Sequence, residues 1–157
     1  MFCPKCGTEY IGGSSLGGMV ALEIGQVIQP KAIVLLGSAL NASEVQSLLA
    51  MFLPLVTITP IALVQVLAGK HTSLVSTMFA DADVEFIRAM SSYLHLWPGY
   101  SGQMSNTYRL HGEKDHVIPC PSVGATVIED AGHLLAMTHA NETAAFLKKF
   151  KAHLSAS

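Results

Sequence analysis

The stretch Tyr10-Ile11-Gly12-Gly13-Ser14-Ser15-Leu16-Gly17-Gly18-Met19-Val20-Ala21-Leu22 decides how this chain folds. Within it, Gly13-x-Ser15-x-Gly17 has the spacing of a nucleophile elbow. In such an elbow a strand runs straight into a helix, through a turn so sharp that its central residue is strained. Glycines flank that residue because a Cβ there would collide with neighbouring backbone. Ser15 then stands at the top of the turn with its hydroxyl exposed. The helix behind it aims free N–H groups and a positive dipole end at the reacting centre. The surroundings fit: Tyr10 and Ile11 lead in, and Met19, Val20, Leu22, Glu23 and Ile24 form an amphipathic run behind. The same letters also spell an ordinary Gly/Ser-rich turn, so the rest of the chain must discriminate.

Downstream, the helix is expected from Gly18 to Gln29, where Pro30 ends it. Lys31-Ala32-Ile33-Val34-Leu35-Leu36-Gly37-Ser38 is a continuous apolar run, the signature of a strand buried on both faces of a parallel sheet. Strand, helix and strand with tight loops make a βαβ unit. From residue 42 to 97 the texture turns helical, with Ser43 as an expected cap for Glu44–Phe52 and with Pro54 and Pro60 as punctuation. Met51, Phe52, Met78, Phe79, Met90 and Trp97 are candidate pocket walls there, though each alone also reads as ordinary core. Thr107–Gly112 is the next expected strand and Ala125–Glu129 the last. A terminal helix over about Asn141–Leu154 turns Ala144, Phe146, Leu147 and Phe150 inward and Lys148, Lys149 and Lys151 outward.

The bulk properties narrow the classes. A chain of 157 residues is one domain by length, and half of it is hydrophobic against 13% charged. The net charge of −2, without a basic block, excludes a nucleic-acid partner. The longest apolar stretch, Ala50–Val66, is broken by Thr57, Thr59, Gln65 and two prolines, so no membrane span is expected. No signal-peptide pattern opens the chain, and a soluble, cytoplasmic protein is the expectation. Three cysteines do not make a disulfide framework. Cys3-Pro4-Lys5-Cys6-Gly7 resembles the first knuckle of a zinc ribbon, but no second Cys-x-x-Cys follows and Cys120 stands alone. Residues 1–8 therefore read as a leader, and neither a metal nor a cofactor is expected.

Three segments occur in one order: Gly13-Ser14-Ser15-Leu16-Gly17, then His111-Gly112-Glu113-Lys114-Asp115-His116-Val117-Ile118-Pro119, then Asp130-Ala131-Gly132-His133. This order resembles the α/β-hydrolase family, serine esterases and lipases, whose triad runs Ser, then Asp or Glu, then His. The resemblance covers nearly everything after Gly7, with residues 42–97 standing where the family inserts a helical cap. It implies an α/β fold with a short parallel sheet of about four strands flanked by helices. It implies Ser15 as nucleophile, Asp115 as orienting acid, His133 as base and the backbone N–H of Leu16 as one oxyanion donor. The implied activity is hydrolysis of a small apolar carboxylic ester through an acyl-enzyme, with Met51, Phe52, Met78, Phe79 and Trp97 lining the substrate site. Asp115 and His133 also have plain readings, as a turn carboxylate and a loop histidine, and His116 is the chief rival base.

The resemblance has a gap. Family members place several strands and a second oxyanion donor ahead of the elbow, whereas fewer than fifteen residues precede Ser15 here. An N-terminally truncated domain is therefore expected, its elbow strand an uncovered edge through which two copies pair as a homodimer. The alternative is a catalytically weak or inactive remnant that binds a small apolar ligand or a partner chain.

Overall fold

The apolar run forms the strand against which the other elements are laid. In the computed structural model, which describes residues 10–45, 89, 93–94, 96–102 and 104–155, Ala32–Leu36 is strand β2. Its first four residues are buried. It pairs in parallel with β1, Tyr10–Ser14, on one side and with β3, Thr107–Gly112, on the other. Strand β4, Thr126–Ile128, pairs in parallel with β3 and completes a four-stranded sheet whose order is the chain order. The strands are those expected, to within two residues at each end. β1 and β4 are the outer strands, so the edge expected to pair two copies is an outer edge of the described sheet.

Alternation along β2 explains why it is apolar throughout. Ile33 faces helix α1, Leu16–Ile28, where a Cβ on Gly25 would stand 2.6 Å from the Ile33 Cδ1. Ala32 and Val34 cluster instead with Phe150 of the terminal helix α2, Ala140–Ser155, together with Leu36, Tyr108 and Phe146. Neither side of the strand meets water, so neither can carry a polar residue cheaply. Leu22, Ile33, Leu35 and Leu110 are almost wholly buried, each contributing about 1.5–3 kcal/mol of transfer free energy.

Helix α1 buries Gly18, Met19, Ala21, Leu22 and Gly25, a stripe at helical spacing. It ends where Gln29 turns left-handed, with φ 48°, and donates its N–H to the Gly25 carbonyl at 2.9 Å. The terminal helix is turned differently from the sequence expectation. Its covered line is Thr143 and Phe150, both buried, with the half-buried Phe146, while Ala144 and Leu147 are exposed. The stripe is narrow because the helix is anchored through one aromatic side chain: the Phe150 ring meets Tyr108 edge-on at 4.9 Å and Tyr10 at 5.7 Å.

The chain divides into two compact units, Met1–Leu40 with Tyr100–Ser157, and Asn41–Gly99. In the second unit, Asn41 and Gly99 form an antiparallel bridge and residues 42–45 are helical. The cap is Asn41 rather than Ser43: its Oδ1 accepts the Glu44 N–H at 3.1 Å, and its Nδ2 donates to Glu44 Oε1 at 2.9 Å. Trp97 belongs to this unit and is half-buried, whereas Met51, Phe52, Met78 and Phe79 lie outside the described residues, as do Cys3, Cys6 and the whole of residues 1–8. Among the described residues no helix is long and apolar enough to cross a membrane.

Candidate active site

The four parallel strands of the described sheet end on the same side, and Ser15, Asp115 and His133 sit where the chain leaves those ends. In open α/β sheets this rim is where ligands bind. Ser15 follows β1 and starts α1, with φ 53° and ψ −127°. That conformation costs a non-glycine residue on the order of 1–3 kcal/mol and persists only where its neighbours over-determine it. Here the serine backbone is held at both ends. Its N–H donates to the Leu36 carbonyl at 3.0 Å, and its carbonyl accepts the Gly18 N–H at 3.0 Å and the Ser38 hydroxyl at 2.7 Å.

The two glycines of the motif are not equivalent. A Cβ on Gly13 would lie 2.2 Å from the Gly17 carbonyl oxygen, so the strand and the helix start can approach only if that position is bare. A Cβ on Gly17 would meet nothing within 4 Å. Close approach thus explains Gly13 but not Gly17. Gly13→Ala is expected to cost about 1–3 kcal/mol as overpacking. Gly17→Ala, in the first turn of α1, is expected to gain about 0.5–1 kcal/mol by helix propensity. Urea unfolding midpoints of the two variants read the opposite signs directly.

Asp115 lies in the turn after β3 and is buried. Its Oδ1 accepts the N–H groups of Val117 at 2.9 Å and Ile118 at 3.0 Å, leaving Oδ2 for a side chain. The loop after β4 supplies that side chain. Glu113 N–H donates to the Ile128 carbonyl at 3.0 Å and Lys114 N–H to the Ala131 carbonyl at 2.8 Å, which stitches the two loops together. The exposed Lys114 ammonium also pairs with Asp130, raising the lysine pKa and lowering that of the aspartate. Gly37, at φ 53°, leaves room between the loops: a Cβ there would stand 3.4 Å from both Asp115 Oδ2 and the His133 carbonyl.

The outcome is an unbroken chain of hydrogen bonds. The His133 Nδ1–H donates to Asp115 Oδ2 at 2.9 Å, because an ionised carboxylate only accepts. That leaves Nε2 as the acceptor for the Ser15 hydroxyl at 2.8 Å. Burial alone would raise the Asp115 pKa. The N–H groups of His111 and His133, the His133 charge and the Ile118 N–H outweigh it and hold the carboxyl well below the usual carboxylate range. An imidazole oriented in this way accepts a hydroxyl proton as the oxygen attacks, and the carboxylate stabilises the cation formed. Leu16 opens α1, so its N–H is one of those without an intrahelical acceptor.

The structure therefore brings Ser15, Asp115 and His133 together across 118 positions of sequence. His116, the rival base, is exposed. Sequence reasoning missed Ser38 and the polar neighbours around the acid. Ser38 is buried, donates to the Ser15 carbonyl, and accepts from the buried Arg109 guanidinium at 2.9 Å. No spacing rule connects these residues, since the contacts span 23 and 71 positions. Among the described residues no cluster of three or more His, Cys, Asp or Glu side chains could hold a metal ion.

No protein-family profile matches the sequence, and no curated protein sequence does. Solved structures do. A thermophilic esterase from Thermogutta terrifontis superposes with a TM-score of 0.71 at 17% identity, covering 94% of this chain and 65% of that one. A meta-cleavage product hydrolase from Pseudomonas fluorescens IP01 gives 0.63 at 15% identity, covering 94% and 66%. An alpha/beta hydrolase enzyme from a lagoon-sediment metagenome gives 0.50 at 18% identity, covering 95% and 64%. The chain spans just under two thirds of the length of each of these structures. At these identities the likeness is one of fold, and the fold of this chain is that of the α/β-hydrolases.

Proposed function

We propose that this chain is a serine hydrolase that cleaves carboxylic esters through an acyl-enzyme on Ser15. The observation that carries the reading is the continuous Ser15–His133–Asp115 chain, at 2.8 and 2.9 Å. The strained backbone of Ser15 supports it, since such strain concentrates at functional sites. The esterase and hydrolase names of the similar structures support it too.

The Ser15 oxygen attacks the ester carbonyl as its proton passes to His133 Nε2. The resulting oxyanion is received by the Leu16 N–H at the start of α1, where the helix dipole favours negative charge. His133 returns the proton to the departing alkoxide, leaving an acyl group on Ser15. Water, activated by the same imidazole, then releases the acid. The substrate class is a small or medium apolar ester, with Met51, Phe52, Met78, Phe79 and Trp97 as the residues whose apolar character suits its acyl group.

Turnover of p-nitrophenyl acetate and butyrate tests the reading, together with fluorophosphonate labelling. Labelling confined to Ser15 and lost in Ser15→Ala is the expected result. Equal turnover by the parent and Ser15→Ala would overturn the enzyme and leave a domain that binds apolar ligands without cleaving them.

A further inference from the structure

We infer that His111 is a positioning residue, which holds the acid turn in the geometry that His133 needs. The inference rests on the proposed hydrolase reading, because it assigns a residue that the steps above do not use.

His111 lies in β3 and is wholly buried. Its Nε2 stands 2.8 Å from the Ile118 carbonyl oxygen. A carbonyl only accepts, so Nε2 carries a proton and donates it. Its Nδ1 is buried with no hydrogen-bond partner among the described residues. A buried imidazole nitrogen left unpaired is a cost that an apolar side chain at this place would avoid. The histidine must therefore supply something that an apolar residue cannot, and its other nitrogen indicates what.

The Ile118 backbone is held on both sides of its Cα. Its N–H donates to Asp115 Oδ1 at 3.0 Å, and its carbonyl accepts from His111. The same His111 Nε2 lies 3.4 Å from Asp115 Oδ2, the oxygen that receives the His133 N–H at 2.9 Å. His111 thus closes the turn that orients the carboxylate, and it sets an N–H dipole beside the oxygen facing the base. Without that donor the Ile118 carbonyl is left unsatisfied. The turn is then free to rotate, and Oδ2 loses its register with His133.

The test compares His111→Leu, which removes the donor, with His111→Gln, whose terminal amide reaches the same carbonyl. In His111→Leu, kcat for p-nitrophenyl butyrate is expected to fall by about 10–100-fold with KM within about twofold, as for a misplaced catalytic group. His111→Gln is expected to keep kcat within about threefold of the parent. A second readout needs no turnover. The His133 Nδ1–H gives a downfield proton resonance, assigned by its loss in His133→Ala, that should move upfield in His111→Leu and stay in place in His111→Gln. If His111→Leu does not fold, His111→Asn takes its place, since its amide ends short of the carbonyl. A parental kcat and an unmoved resonance in the donor-less variant would overturn the inference, as would a Gln variant as impaired as Leu. A parent that fails to hydrolyse esters overturns the proposed function, while the resonance still decides the role of His111.

Discussion

Alanine at His133 is expected to lower kcat for an activated ester by about 10⁶-fold, as far as alanine at Ser15, with the double variant falling no further. The reason is that the two groups act as one unit. With the Ser15 hydroxyl donated to Nε2 at 2.8 Å, the oxygen becomes a nucleophile only as its proton leaves for that nitrogen. Removing either partner removes the same step, so the losses do not add. What survives in each variant is the contribution of binding and of the Leu16 N–H. His116→Ala is the control, since this exposed histidine is expected to be replaceable without loss. Single-turnover and steady-state rates of the four variants measure this. A His133→Ala rate within tenfold of the parent, or a double variant far below both singles, would remove His133 from the role of base.

Asp115→Asn should reduce kcat by about 10⁴-fold while leaving KM nearly unchanged. The cause lies in which oxygen is pinned. Oδ1 accepts two backbone N–H groups, from Val117 and Ile118, and only the oxygen of an asparagine can take that place. Its NH₂ must then occupy the Oδ2 position and point at His133 Nδ1. That nitrogen can no longer donate, so the ring proton moves to Nε2 and faces Ser15. The imidazole is then in the wrong tautomer to accept a proton. The same NH₂ also confronts the His111 Nε2–H, donor against donor.

The substitution has a stability signature as well. The Asp115 carboxyl is held well below the ordinary carboxylate range, against a burial that alone would raise it. A depressed folded-state pKa means that its stabilisation is fully present above the unfolded value of about 3.9 and is lost as pH falls from there through the folded value. Urea midpoints of the parent should therefore decline more steeply below about pH 4 than those of Asp115→Asn. Parallel curves would mean that the carboxylate is not selectively stabilised by the fold.

The candidate site was legible in the sequence to the extent that its parts are local. Gly13-x-Ser15 could be read because a strand-to-helix turn leaves no space for a Cβ, and Gly13 meets that limit at 2.2 Å. Asp115 and His133 could be read because each closes a short loop after an apolar strand, in an order that the resemblance supplied. Gly17 shows the limit of such reading, since its letter matches the motif while its surroundings are open. The stripe on the terminal helix shows another. Periodicity offers Ala144 and Leu147 as readily as Phe146 and Phe150, and only the position of Tyr108 and Tyr10 selects which residues are covered.

By itself the sequence determined the four described strands and the elbow between β1 and α1, while the family resemblance singled out Ser15, Asp115 and His133 as the candidate trio. The strands and the elbow follow from steric and hydrophobic constraints acting over a few residues at a time. The tertiary structure alone decided that a serine and a histidine 118 positions apart meet at 2.8 Å. It also decided that Ser38 and Arg109 brace the elbow and that His111 grips the acid turn. Those contacts join loops at the ends of different strands. Their distances are set by sheet register and by backbone hydrogen bonds between loops, neither of which leaves a periodicity or a spacing along the chain.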